Sequence, residues 1–134
     1  MASIAAPSVP VSWGELLDKI TILEIKRERI TRAEARENVL REYRLLRSIG
    51  AQVLNRSGIA PLVRALKAVN EALWEIEDAI REQEAAREFG ADFIRLARAV
   101  YQRNDERAAI KREINLKLES DLIEEKSYAS RVAA

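Results

Sequence analysis

Apolar residues recur along this chain at spacings of three and four, and no useful length alternates with period two. That pattern predicts helices and no strands. Residues 1–11 read as an extended leader carrying Pro7 and Pro10. Ser12 opens a capping box, Ser-Trp-Gly-Glu, in which the Ser12 hydroxyl and the Glu15 carboxylate would satisfy each other's backbone N–H groups. The first helix is expected from about Trp13 to Ile30. Thr31 and Glu34 form a second such box, and the second helix is expected to reach about Leu54. Asn55 to Gly58 make a loop, and Pro61 falls in the first turn of a third helix, where proline is tolerated. That helix should run to about Glu88, with Gly90 as its left-handed C-terminal cap. Asp92 opens the fourth helix, which should reach about Leu118, and the string from Ser120 to Tyr128 adds one more turn.

The third helix carries Leu62, Leu66, Val69, Leu73, Ile76 and Ile80 at alternating spacings of four and three, a coiled-coil-like heptad seam. The second repeats the pattern with Ala35, Val39, Tyr43, Leu46, Gly50 and Val53. The first places Leu16, Ile20, Leu23 and Ile30 on its main stripe, while Ile22 and Ile25 point away from it. A helix apolar on two sides is central in a bundle or part of an interface. Dimerisation, or cover by the C-terminal tail, is expected here. Short connections make successive helices antiparallel neighbours. The fold class is therefore all-α: an elongated, antiparallel four-helix bundle over 12–118, with an extended leader and a tail at 119–134 docked in part.

The fourth helix breaks its own stripe. Phe93, Ala97 and Val100 begin it, but steps of four, three and four then reach Asn104, Arg107 and Lys111, with Asn115 near the same side. Polar residues stand where the pattern demands core. If the third and fourth helices reverse near Phe89-Gly90, Asn104 lies level with Glu75, Arg107 with Ala72 and Lys111 with Ala68. Asn70, Trp74, Glu77 and Arg81 run beside the third helix's seam. On the first helix Arg27 falls on the apolar stripe, flanked by Glu24 and Trp13. The inferred cluster sets Arg27, Arg107 and Lys111 against Glu24 and Glu77, with Asn70, Asn104 and Asn115 beside them.

Composition limits the chemistry open to this cluster. The 134 residues suit one domain, and the chain has no Cys and no His. Disulfides, thiol nucleophiles, Ser-His-Asp triads, His bases and zinc sites with Cys or His ligands are excluded. Four glycines leave no P-loop or dinucleotide fingerprint. With 23 Lys+Arg against 22 Asp+Glu, the net charge of +1 draws the chain to no acidic surface. The first residues lack the basic start of a secretory signal, and no apolar run approaches a membrane span. A cytoplasmic protein with no membrane association is expected.

Four alternatives then divide the cluster and its neighbours. Buried charges must be paired, so the seam can be a structural ion network that fixes register. It can instead line a pocket in which Arg27, Arg107 and Lys111 hold a small carboxylate or phosphate, Arg doing so through its bidentate fork. Glu71, Glu75, Glu77, Asp78, Asp105 and Glu106 could carry magnesium, although a run of acids on a helix is usually a solvated face. Arg36, Arg41, Arg44 and Arg47 suggest nucleic acid weakly, because Glu37 and Glu42 interrupt them and no aromatic platform accompanies them. Trp13 and Trp74 fit core or interface better than base stacking, and Tyr128 is expected to dock on the bundle.

Several strings carry a resemblance: VPVSWGELLDKITILEIKRERI, NEALWEIEDAIRE, FIRLARAVYQRNDERAAIKREIN and SDLIEEKSY. Together, from Val9 to Tyr128, they resemble a bacterial family of small all-helical proteins known only as a domain of unknown function. The resemblance implies a single-unit protein and brings no activity, cofactor or catalytic residue. The opening ELLDKITILEIKRER is also loosely similar to the first helix of all-helical chorismate mutases, without residue-by-residue alignment. Of the paired acidic motifs of all-helical nucleotide pyrophosphohydrolases, only Glu75-Ile76-Glu77-Asp78 fits one form, so neither likeness transfers function.

The function expected is that of a non-enzymatic interaction or accessory protein, a homodimer open to a further protein partner, with no nucleic acid, cofactor or metal. The alternative is a protein or enzyme that binds a small anion in the polar seam, with Glu24 or Glu77 as proton acceptor.

Overall fold

A computed structural model of the chain describes residues 3–128. It contains α1 (Trp13–Arg29), α2 (Ala33–Gly50), α3 (Ile59–Ala85) and α4 (Ala91–Lys117), with no strand among the described residues. The all-α helical bundle is as the periodicity predicts. Its hub is α1, which packs on each of the other three helices, whereas α2 packs against no helix but α1. The core gathers Leu16, Leu17 and Ile20 of α1 with Val53, with Ile59 and Leu66 of α3, and with Ile114 of α4. Each such side chain contributes about 1.5–3 kcal/mol on burial.

The hub position accounts for the two apolar sides of α1. The second apolar side of α1, where Ile25 is fully buried and Ile22 half-buried, is covered within the chain by α3 and α4.

Element ends differ from the sequence pattern in ways that have local causes. Ser12 caps α1 by accepting the Glu15 N–H at 3.1 Å. The reciprocal half of that box is absent, because the Glu15 carboxylate reaches Lys111 instead. The box at Thr31 does not form at all: α2 starts after Arg32, with no side-chain cap. The reversal is fixed from the other side, by Arg36 donating back to the Arg27 and Ile30 carbonyls at the end of α1. α2 stops at Gly50 rather than Leu54, since successive turns then carry Val53 into the core.

Gly90 is not the left-handed cap of α3. That role falls to Arg87 at φ 55°, with the Glu88 N–H reaching the Gln83 carbonyl and the Arg87 N–H reaching Glu84. Gly90 instead precedes α4 with a negative φ. The same closure ends α4 at Glu119, and residues 122–128 add no helical turn. The tail docks through the Glu124 and Glu125 side chains; its expected extension over 129–134, like Met1 and Ala2 of the leader, lies outside the described residues.

α3 and α4 are 27 residues each and α1 is 17, so the pair is about 40 Å long against about 25 Å for α1. The pair overruns its cover. From Glu71 to Ile110 no residue is buried.

Candidate functional site: the polar seam between α1 and α4

Gly14, Asp18, Thr21 and Ile25 succeed one another by four, three and four and share one face of α1. Gly14 lets the backbones close: a Cβ there would stand 2.5 Å from the Lys111 carbonyl oxygen. Its N–H donates to Asn115 Oδ1 at 2.7 Å. The Trp13 N–H donates to Ser120 Oγ at 3.3 Å, and Glu15 to Ser12 as above. Three free N–H groups of the first turn of α1 are thus satisfied by side chains, one of them from Asn115 of α4 and one from Ser120 just beyond it.

One turn on, Asp18 is wholly buried. Arg107 grips it with two donors, Nε to Oδ1 at 2.9 Å and Nη2 to Oδ2. Asn70 Nδ2 donates to the same Oδ1 at 2.9 Å and to Thr21 Oγ1 at 2.9 Å, which ties α3 into the layer. The hydrogen bond it donates to Asp18 holds the Arg107 guanidinium above its ordinary range; burial opposes this, and the Asp18 charge adds to it. A paired, bidentate geometry is what a buried carboxylate requires.

Lys111, 8% exposed, donates to Glu15 Oε2 at 2.6 Å and to Glu124 Oε2 at 3.2 Å. It joins α4, α1 and the tail. Glu124 is held below the ordinary carboxyl range first by its bond from Lys126 and then, against the opposing effect of burial, by Lys111. Arg112 and Glu125 make a second tail contact at 3.0 Å. Tyr128, by contrast, is 71% exposed, which corrects the expectation that it docks.

The structure divides the residues singled out by the sequence. Asn70, Asn104, Arg107, Lys111 and Asn115 belong to this seam, Asn104 by accepting from Arg107 at 3.4 Å. Glu24 instead faces Lys67 at 3.4 Å. Arg27 lies over the Tyr43 ring of α2, 4.5 Å from its centroid, on a different side of α1. Glu77 is exposed and pairs with Arg81 at 3.8 Å. The opposition of Arg27, Arg107 and Lys111 to Glu24 and Glu77 is therefore replaced by Arg107 with Asp18 and Lys111 with Glu15 and Glu124. Sequence reasoning missed Asp18, Thr21, Glu15 and Glu124. The signal for the first two was present, since they step with Gly14 and Ile25 on the second stripe of α1.

Two hollows flank Arg107 and Asn104. One, of about 390 Å³, is lined by Ile22, Ile25, Leu73, Trp74 and Glu77; the other, of about 330 Å³, by Val100, Tyr101, Lys111, Lys126 and Tyr128. Each lining cation already has a carboxylate: Arg107 has Asp18, Lys111 has Glu15, and Lys126 has Glu124. Among the described residues no buried polar side-chain atom lacks a partner, and no three acidic side chains converge as metal ligands. No described helix is long and apolar enough to cross a membrane.

A family model described as a family of unknown function, DUF6165, matches residues 8–134. No curated protein and no solved structure matches the chain.

Proposed function

The chain belongs to the family of unknown function DUF6165, and for it we propose a non-enzymatic interaction or accessory role in which the polar seam is architecture. The observation that carries this reading is the saturation of the seam's cations. Arg107 spends two donors on Asp18, and Lys111 is shared between Glu15 and Glu124. An anion entering either hollow would meet no uncompensated positive charge, and it would have to displace a carboxylate already seated. Glu24 and Glu77, the candidate proton acceptors, stand apart from the paired layer. The interaction surface is then to be sought outside the seam, on the uncovered end of the α3–α4 pair.

A thermal-shift panel of carboxylates, phosphates, nucleotides and divalent metals tests this. A ligand present at about 100 times its dissociation constant adds roughly 2.7 kcal/mol, enough to move the midpoint by several degrees. The panel is expected to be flat. A reproducible shift that disappears in Asn104→Leu, which alters both hollows while leaving the Asp18–Arg107 pair in place, would overturn the proposal in favour of an anion site.

A further inference from the structure

Asn70 uses one half of its side chain in the seam and leaves the other half free. It is 5% exposed, and its Nδ2 donates to Asp18 Oδ1 and to Thr21 Oγ1. Both partners act as acceptors: Asp18 is a carboxylate, and Thr21 gives its own hydroxyl hydrogen to the Asp18 carbonyl at 2.7 Å. The amide orientation is therefore forced, with the NH2 group towards α1 and Oδ1 turned away from it. That oxygen accepts from no donor among the described residues. No buried polar side-chain atom among them lacks a partner, so Oδ1 is not sealed in. It opens on the hollow of about 390 Å³ that Asn70 helps to line.

The rest of that hollow selects the charge of what meets this acceptor. Ile22, Ile25, Leu73 and Trp74 give it an apolar wall, and Glu77 and Asp78 give it carboxylates. Trp74 and Glu77 follow Asn70 by four and seven residues, so α3 presents the acceptor, the indole and a carboxylate along one face. Asp78 makes no ion pair among the described residues, and Glu77 reaches only the exposed Arg81, at 3.8 Å. The cations nearby are already paired, Arg107 with Asp18 and Arg29 with Glu75. A deep free acceptor, two outer carboxylates and an apolar wall together call for a positively charged donor on a hydrocarbon stem.

We propose that this hollow binds a small organic amine as its ammonium ion. The ammonium group donates to Asn70 Oδ1, with Glu77 and Asp78 as its counter-charges, and the hydrocarbon part lies on Ile22, Leu73 and Trp74. An ammonium has donors only, which suits a site whose free groups are acceptors. The inference goes beyond the interaction reading and does not depend on it, since the charges that admit a cation here disfavour an anion.

The test titrates the isotope-labelled full chain by NMR with hexylammonium, hexanoate and hexanol, which share a hydrocarbon stem and differ in charge. Hexylammonium should shift the Asn70 side-chain amide and the Trp74 indole N–H saturably at about millimolar concentration, and the other two should not. Glu77 and Asp78 are exposed, so Glu77→Gln with Asp78→Asn keeps the fold and should weaken amine binding more than about fivefold. An Asn70 amide that stays still, equal shifts with hexanoate or hexanol, or a double variant that binds as before overturns the inference. The ligand panel above contains no amine, so either result leaves the reading of the seam to its own test.

Discussion

Arg107 closes on Asp18 with a two-donor grip that joins α4 to α1 across 89 residues of sequence. The carboxylate is wholly buried and the guanidinium partly so, and Asn70 completes the layer from α3. Three helices thus meet at one charged atom pair. Around it, Asn115 and Ser120 fasten the start of α1 to the end of α4, and Lys111 draws in the tail. The seam behaves as a set of cross-braces, each closing a long-range contact that apolar packing alone would leave unspecified.

The closeness of α1 and α4 depends on the absence of a side chain at one place. At Gly14 an added Cβ meets the Lys111 backbone oxygen at 2.5 Å, whereas at Gly50 it meets the far end of the Ile20 side chain at 2.6 Å. A side-chain terminus can rotate away and a helix backbone cannot. Gly14→Ala should therefore cost about 1–3 kcal/mol or more, and Gly50→Ala clearly less. Paired thermal unfolding curves check the order; equal losses would contradict it.

Tail docking should depend on pH through Glu124. Its carboxyl is held below the ordinary value of 4.5, chiefly by the bond from Lys126 and also by Lys111. A lowered carboxyl contributes stability above the ordinary value and loses it as pH falls through the lowered one. The backbone of residues 122–128 should be more rigid at neutral pH and lose that rigidity below about pH 4.5. Glu124→Gln should release them at neutral pH while Lys111 keeps Glu15. Backbone nitrogen relaxation measured by NMR distinguishes the two forms.

α2 should open before the rest. It packs on α1 alone, and its buried residues are Val39 and Gly50, against eight in α1. Local opening free energy follows buried contact, so α2 amides should exchange through a lower-energy opening than those of α1. Native-state hydrogen exchange in mild denaturant checks this, and matching protection for both helices would contradict the hub arrangement.

Much of this was legible from periodicity. The spacing of Leu62 to Ile80 marks α3, and the interrupted stripe of α4 singles out Asn104, Arg107, Lys111 and Asn115. What stayed hidden was the partner of each cation. Glu24 and Glu77 lie near the cations on a helix projection, yet a projection does not say which face of α1 meets α4. That choice is made by Gly14, whose missing side chain lets one face approach closest and so brings Asp18, rather than Glu24, to Arg107. Arg87 as the left-handed residue was likewise illegible, because the closure of α3 is set by hydrogen bonds to Gln83 and Glu84 and not by residue type.

The central claim, that the seam is architecture, is tested most directly by a stability cycle on Asp18 and Arg107. Arg107→Leu leaves a buried carboxylate with only Asn70, and should cost about 3–5 kcal/mol, a fall of roughly 10 °C or more in Tm. Replacing both Asp18 and Arg107 by Leu removes the charge together with its need for a partner, and should return the midpoint to near that of the original chain or above it. An unchanged midpoint in Arg107→Leu, or a double variant no more stable than the single, would contradict the account.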